Sequence, residues 1–263
     1  MNKYKNVSNN LTIKDGEAAL TYGVKYIEAG ELNSKIKPAR PYFVIKRLGN
    51  TYYSLKLTTK DNKFLDNFKI EIDKYKRNNS VVKDSYVEME HIYELEIGDF
   101  IQNGIVLTER DRMCIYNGLI KKYCLEFIDI KPELLSFVYK EYIKHKRIQP
   151  GTLLVTKAFD GQLLVLDIDD SYYKCLPVYR SGEEDFDEMI RFYKYNNYVN
   201  YSHIYYLPKS EITYISNFGI NESLFNYIMS RVNEREKEEK GPILNKRWNA
   251  KFSFEITKLF KNA

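Results

Sequence analysis

The 263-residue sequence has three cysteines, three histidines and a single tryptophan. Cys114, Cys124 and Cys175 are odd in number and scattered. That argues against a disulfide framework and against a four-cysteine zinc site. With so few histidines, and none in the Arg40-Pro41 or Leu57-Thr58-Thr59 motifs below, no metal or other cofactor is expected. No run of about 18 apolar residues occurs, so no membrane helix is expected. Residues 1–10 are polar and asparagine-rich and lack the apolar stretch of a signal peptide. The expected location is therefore cytoplasmic, without a membrane partner. Charge of one sign is also weak: 41 Lys and Arg against 36 Asp and Glu leave a net +5. That balance suits an ordinary soluble protein and is compatible with an anionic partner such as RNA.

Tyrosine is plentiful, with 24 copies. Most suit strands and cores, although tyrosine rings also stack on bases. Hydrophobic residues make up 44% of the chain, enough for one large core or two small ones.

Residues 1–22 read as an N-terminal extension, with Leu11, Ala18, Ala19 and Tyr22 spaced for one side of a short helix. Strand-like runs follow. Pro41 to Arg47 and Tyr52 to Thr59 are rich in β-branched and aromatic residues, and Gly49-Asn50 between them predicts a hairpin. Residues 60–79 read as a charged surface loop with a short strand near Phe68 to Ile72. Ser85 to His91 reads as a strand, followed by a turn near Gly98. Thr108 to Cys124 has helical spacing, with Thr108 as its cap and Asp111 three residues on. Lys131 to Arg147 is a second helix candidate, with Pro132 suited to its first turn.

The strand pattern then restarts. Gly151 to Lys157, Gln162 to Ile168 and Tyr172 to Val178 are three short strands, and Asn221 to Asn233 is a helix. His91-Ile92-Tyr93-Glu94-Leu95 recurs as His203-Ile204-Tyr205-Tyr206-Leu207, 112 residues later (203 − 91 = 112). Each copy precedes a turn, a Gly-Ile pair (Gly104-Ile105, Gly219-Ile220) and a helix. This order predicts an internal repeat. The expected domains are an extension over 1–22, a first unit over 23–130, a linking helix over 131–149, a second unit over 150–233 and a basic-aromatic tail over 234–263. In that tail Lys246, Arg247, Trp248, Lys251 and Phe252 interleave charge with rings. A C-terminal strand or helix packed on the body is the favoured reading there. An arm that contacts nucleic acid or a partner is the other.

Several linked motifs of the first unit resemble the MazF/PemK endoribonuclease toxins. Arg40-Pro41 opens an apolar strand, Leu57-Thr58-Thr59 ends the next, and Asp84-Ser85 begins a later one that leads into a turn and a helix. The ordered set covers about residues 23–122. The resemblance implies a mainly β, α+β fold: two SH3-like small barrels with appended helices, arranged as a pseudo-dimer. It implies cleavage of single-stranded RNA without a metal, with Arg40 and Thr58 acting on the phosphate, and a small antitoxin protein as a further partner. The chemistry is sound without the analogy. When the RNA's own 2′-OH attacks the adjacent phosphorus, the extra negative charge can be met by a fixed guanidinium and a hydroxyl. Lys35, Lys37, Lys46, Arg47, Lys56, Lys60 and Lys63 are candidates to line an RNA track or are spaced solubilising charges. His91 and His203 are bases by residue type only, and a structural role suits them better.

The loop before Arg40-Pro41 reads Asn33 to Ala39 and lacks the family's Glu-Gln and glycines. In the second unit the Arg-Pro position holds Gly161-Gln162, and the counterpart of Thr58 falls near Val178. The second copy is therefore expected to be non-catalytic. The alternative function is an inactive tandem-barrel module binding RNA or a protein, and a purely structural accessory protein is a third.

Overall fold

The computed structural model describes residues 11–21, 27–28, 31–32, 40–58, 70–72, 85–126, 128–157, 159–180, 189–192, 197–201, 203–237 and 244–247. The chain divides into two compact units. One comprises Met1–Lys122 with Asp129–Lys144, the other Tyr123–Ile128 with His145–Ala263.

In the first unit the strands are β1 (Glu17–Thr21), the short pair β2 (Ile27–Glu28) and β3 (Glu31–Leu32), β4 (Arg40–Leu48), β5 (Thr51–Thr58), β6 (Ile70–Ile72), β7 (Ser85–Leu95) and β8 (Ile105–Val106). Six of them form one antiparallel sheet in the order β6-β7-β5-β4-β1-β8, with β2 and β3 pairing separately. Helices α1 (Glu109–Glu126) and α2 (Pro132–Ile143) follow. In the second unit β9 (Thr152–Thr156), β10 (Gln162–Ile168), β11 (Tyr172–Arg180), β12 (Met189–Phe192), β13 (Asn197–Asn200), β14 (His203–Pro208) and β15 (Thr213–Gly219) precede α3 (Glu222–Lys237) and β16 (Leu244–Arg247). Their sheet runs β12-β13-β11-β10-β9-β15, with β14 also on β11 and β16 parallel to β14. The fold is thus mixed α+β and dominated by sheet.

The two sheets share one strand order, and the match extends to single residues. Both central hairpins carry the same irregularity, between Val44 and Lys46 in β4 and between Val165 and Asp167 in β10. With 165 − 44 = 121 and 167 − 46 = 121, this places Gly161 at the position of Arg40 and Tyr179 at that of Thr58. The Thr58 counterpart is therefore Tyr179 rather than the neighbouring Val178. Gly16 and Gly151, at φ 82° and 87°, open β1 and β9. Their N–H groups donate to the carbonyls of Val44 and Val165, each at 2.8 Å. A side chain at positive φ costs about 1–2 kcal/mol, which accounts for glycine at this corner in both units. Tyr52 faces Leu95, and Tyr173 faces Leu207. The repeated pentapeptide therefore occupies the same place in each sheet. The Gly-Ile pairs do not: Glu17 faces Val106 and Thr152 faces Gly219, so Gly219 matches Val106 and not Gly104.

The helices start alike. Thr108 Oγ1 accepts the N–H of Asp111 at 3.1 Å, and Asn221 Oδ1 accepts that of Leu224 at 2.8 Å. Each cap contributes about 1 kcal/mol. Ile115, Tyr116, Leu119 and Ile120 of α1 are buried, and the Tyr116 ring tilts against Phe43 of β4. Ile228 and Val232 of α3 sit in one apolar cluster with Leu153, Leu164, Leu176 and Val199. A second apolar cluster lies apart from the first, on the residues of alternate parity: Leu154, Leu163, Val165, Cys175 and Tyr179.

Two expectations are corrected. Residues 17–21 form a strand and not a helix, because Glu17, Ala19 and Thr21 alternate inward while residues 18–21 pair with β4. β1 therefore lies inside the sheet rather than in an extension outside it. Among the described residues the sheets are also open paths and not closed barrels: no pairing joins β6 to β8 in the first or β12 to β15 in the second. The linking-helix candidate, α2, groups with the first unit. Its Phe137 ring packs edge-on to Tyr116 at 6.0 Å. Of the tail, residues 244–247 form β16, while Trp248 onward lies outside the described residues. No helix among the described residues is long and apolar enough to cross a membrane.

Candidate functional site

The residues singled out in the first unit meet on one face of its sheet. Tyr42 faces Lys56 and Phe43 faces Leu55, so continuing the register two residues sets Arg40 opposite Thr58. Thr21 faces Arg40 on one side, and Tyr86 faces Thr58 on the other. A row Thr21, Arg40, Thr58, Tyr86 thus crosses four strands. Directly opposed residues point to the same face, with Cβ atoms about 4.5–5.5 Å apart. The next row on that face is Ala19, Tyr42, Lys56, Glu88. Residues two apart along a strand are about 7 Å apart, so the two rows form a continuous patch.

Within it Thr21 Oγ1 donates to the Arg40 carbonyl at 3.1 Å, fixing the start of β4. Arg40 is half-buried and enters no ion pair among the described residues. Lys56 Nζ donates to Glu88 Oε2 at 2.7 Å. The Tyr42 hydroxyl is pushed up to about 12, first by burial and then by Tyr93 and Glu88, while the Arg40 charge opposes the rise. The Arg40 guanidinium and the Glu88 carboxylate therefore both act electrostatically on Tyr42. The Tyr93 ring meets that of Tyr42 edge-on at 5.2 Å. Thr58 is only 6% exposed.

The other cationic candidates are divided. Lys56 shares the face of Arg40. Lys46 lies on the helix side, bound to Asp15 at 2.7 Å with its charge 4.6 Å from the Phe137 ring. Arg47 sits at the hairpin end, its Nε donating to the Gly49 carbonyl at 2.8 Å, over the Tyr52 ring. Lys35, Lys37, Lys60 and Lys63 lie outside the described residues. His91 is exposed on β7; His203 is in β14. Among the described residues no group of three or more His, Cys, Asp or Glu could hold a metal ion.

Tyr42, Tyr86 and Glu88 were not among the sequence candidates. Their signal was present: Tyr86 and Glu88 alternate two apart in β7, and a 9-residue strand returning through Gly49-Asn50 brings Tyr42 opposite Lys56. What hid Tyr86 and Glu88 was the β5–β7 register, which shifts between Ser54 and Lys56.

The corresponding face of the second unit is filled. Gly161 stands for Arg40, Leu163 for Tyr42, Pro177 for Lys56 and Tyr179 for Thr58. Asn200 stands for Glu88, on the register set by Val178 facing Val199. The Phe159 ring lies against Tyr179 at 6.1 Å and Tyr205 at 5.8 Å. A Cβ on Gly161 would sit 2.9 Å from that ring and 3.0 Å from the Val178 carbonyl. A side chain at Gly161 and the Phe159 ring cannot occupy this place together. No protein-family model matches the chain, and no curated protein matches it.

Proposed function

We propose that the chain is a metal-independent endoribonuclease of MazF/PemK type, acting on single-stranded RNA through the first unit. The observation that carries the reading is the register that sets Arg40 and Thr58 side by side on one face. In this reading the 2′-oxygen of the RNA bonds to the adjacent phosphorus and the P–O5′ bond breaks, leaving a cyclic phosphate and a 5′-hydroxyl. Arg40 donates to the phosphate oxygens, where charge accumulates. Glu88, on the next row, accepts the 2′-OH proton, and Lys56, already hydrogen-bonded to Glu88, supplies one to the departing 5′-oxygen. Thr58 lies opposite Arg40 on the neighbouring strand, its hydroxyl on the same face. The shared strand order supports two SH3-like copies serving as a pseudo-dimer within one chain. A small antitoxin as partner rests on the resemblance alone.

One observation favours a second reading. With Thr58 almost covered and Lys56 tied to Glu88, the face can grip a phosphate through Arg40 without cutting. That describes an inactive module binding RNA or a protein.

Incubation of the intact protein with long single-stranded RNA in EDTA separates the two. Cleavage that falls about 10²–10³-fold in Arg40→Ala is the expected result. RNA binding without cleavage establishes the module. No binding even at low salt, where phosphate contacts are strongest, removes RNA from the account.

A further inference from the structure

Tyr42 takes no part in the cleavage as proposed, yet it stands among the groups that do. It lies two residues along β4 from Arg40, on the same side of the sheet and about 7 Å away. Across the strands its row is Ala19, Tyr42, Lys56, Glu88. Tyr42 is therefore next to the arginine along one direction and next to the lysine–glutamate pair along the other. Solvent reaches this part of the face. Arg40 is half-buried, and the side chains of Lys56 and Glu88 are 26% and 21% exposed.

The ring and the hydroxyl of Tyr42 answer to different demands. The ring is packing: it sits in an apolar cluster with Ala19, Val44, Tyr52, Leu95 and Phe100, and only 4% of the residue is exposed. In the second unit Leu163 takes this position, fully buried. An apolar side chain thus satisfies the position as packing. A hydroxyl is found there only in the unit that keeps Arg40.

That hydroxyl is under charge from two directions. Burial holds it up at about 12, Tyr93 and Glu88 push the same way, and Arg40 opposes them. It is within electrostatic reach of the guanidinium and the carboxylate at once, and it keeps its proton at neutral pH. Among the described residues it forms no hydrogen bond. A desolvated donor of this kind gains most from an acceptor that carries negative charge. The proposed reaction puts such an acceptor between Arg40 and Glu88, because Arg40 holds the phosphate oxygens and Glu88 takes the 2′-proton.

We propose that the Tyr42 hydroxyl is a catalytic hydrogen-bond donor, which binds a non-bridging oxygen of the scissile RNA phosphate beside Arg40 and strengthens as charge builds on that oxygen. The assignment rests on the endoribonuclease reading. No proton leaves Tyr42: its O–H bond stays intact, while Glu88 and Lys56 serve the 2′- and 5′-oxygens. The hydroxyl adds to the transition-state stabilisation that Arg40 supplies.

The test compares cleavage of long single-stranded RNA in EDTA by the full chain, by Tyr42→Phe and by a form carrying 3,5-difluorotyrosine at position 42. Tyr42→Phe keeps the ring and loses the donor. Its kcat should fall about 10²-fold with KM unchanged, and it should bind an uncleavable 2′-O-methyl oligonucleotide as tightly as the wild type. The fluorinated form keeps the donor but ionises at lower pH. Its activity should fade at mildly alkaline pH, where the wild type is still active and urea unfolding shows both forms folded. The fluorinated form decides alone if Tyr42→Phe is unfolded. A wild-type rate in Tyr42→Phe, or a wild-type pH profile in the fluorinated form, overturns the assignment and leaves the RNA reading standing. So does a loss in Tyr42→Phe that comes with raised KM and weaker oligonucleotide binding, or activity in the fluorinated form that fades only as the fold is lost. Either would make Tyr42 a packing residue. No cleavage by the wild type ends the RNA reading and the assignment with it.

Discussion

On one face of the first unit, Arg40, Thr58, Tyr42, Lys56 and Glu88 put charge and hydroxyls on adjacent strands. On the same face of the second, Gly161, Tyr179, Leu163 and Pro177 occupy those positions, and the Phe159 ring lies against Tyr179 and the backbone at Gly161. The two share a backbone frame: one strand order along the main path, one hairpin irregularity, one positive-φ glycine donating to one valine carbonyl. The difference teaches that the frame is set by main-chain hydrogen bonding and turn geometry, which side-chain exchange on one face leaves intact. In the first unit that face is packed too, through Ala19, Tyr42 and Val44, but it also holds a half-buried arginine at the start of β4. An arginine in the middle of an apolar cluster would be a buried, unpaired charge. A face packed on Phe159 has no room for one.

This contrast can be broken from the packed side. Phe159→Ala should have the largest effect, removing a buried ring that touches Tyr179 and Tyr205. A loss of about 3–5 kcal/mol in stability is expected, measured by urea unfolding. A loss under about 1 kcal/mol would mean that the ring does not hold the second face together.

The glycine corners sharpen the comparison. Gly16→Ala should cost more than Gly151→Ala, although both introduce a side chain at positive φ for about 1–2 kcal/mol. A Cβ on Gly16 meets Arg112 Cδ at 2.9 Å, whereas on Gly151 the nearest atoms, of Ile220 and Phe225, lie at 3.8 Å. Thermal unfolding of the two variants gives the order directly, and a reversed order would contradict it.

A smaller effect belongs to Tyr42. Its folded pKa, about 12, exceeds the unfolded value of about 10. The unfolded chain therefore gives up this proton first as pH rises. The associated stability is complete below about pH 10 and declines up to about pH 12. Tyr42→Phe removes that decline, so its stability should fall less steeply between pH 10 and 12 than that of the wild type. Tyr205 in the second unit behaves alike, raised to about 12 by burial, and Tyr205→Phe provides the matched control. Parallel slopes for wild type and Tyr42→Phe would show that Tyr42 titrates normally.

Much of the fold was legible in the sequence. The hairpin through Gly49-Asn50, the strand over Gln162–Ile168, the strand read as Tyr172 to Val178 and found to run two residues further, and the Thr108 cap follow from turn chemistry and β-branched or aromatic content. β1 was not legible, because Glu-Ala-Ala-Leu-Thr carries helix formers and becomes a strand only through its pairing with β4. β15 was missed because Asn217 and Gly219 interrupt its pattern, while its pairing with β9 shifts between Ile215 and Gly219. Of the site, Arg40 and Thr58 were visible as motifs. Glu88 and Tyr42 needed the register, which no local pattern encodes. The role of Phe159 was illegible for the same reason: only the structure brings it against Tyr179 and the backbone at Gly161.

The most direct test of the central claim, that one copy of the shared frame keeps an RNA face and the other has filled it, is a titration of the intact protein with a 2′-O-methyl oligonucleotide that cannot be cleaved. Backbone amide shifts followed by NMR should move at Arg40, Thr58, Tyr86 and Glu88 and stay still at Gly161, Tyr179, Tyr198 and Asn200. Equal movement in both sets, or movement confined to the second, would contradict the account.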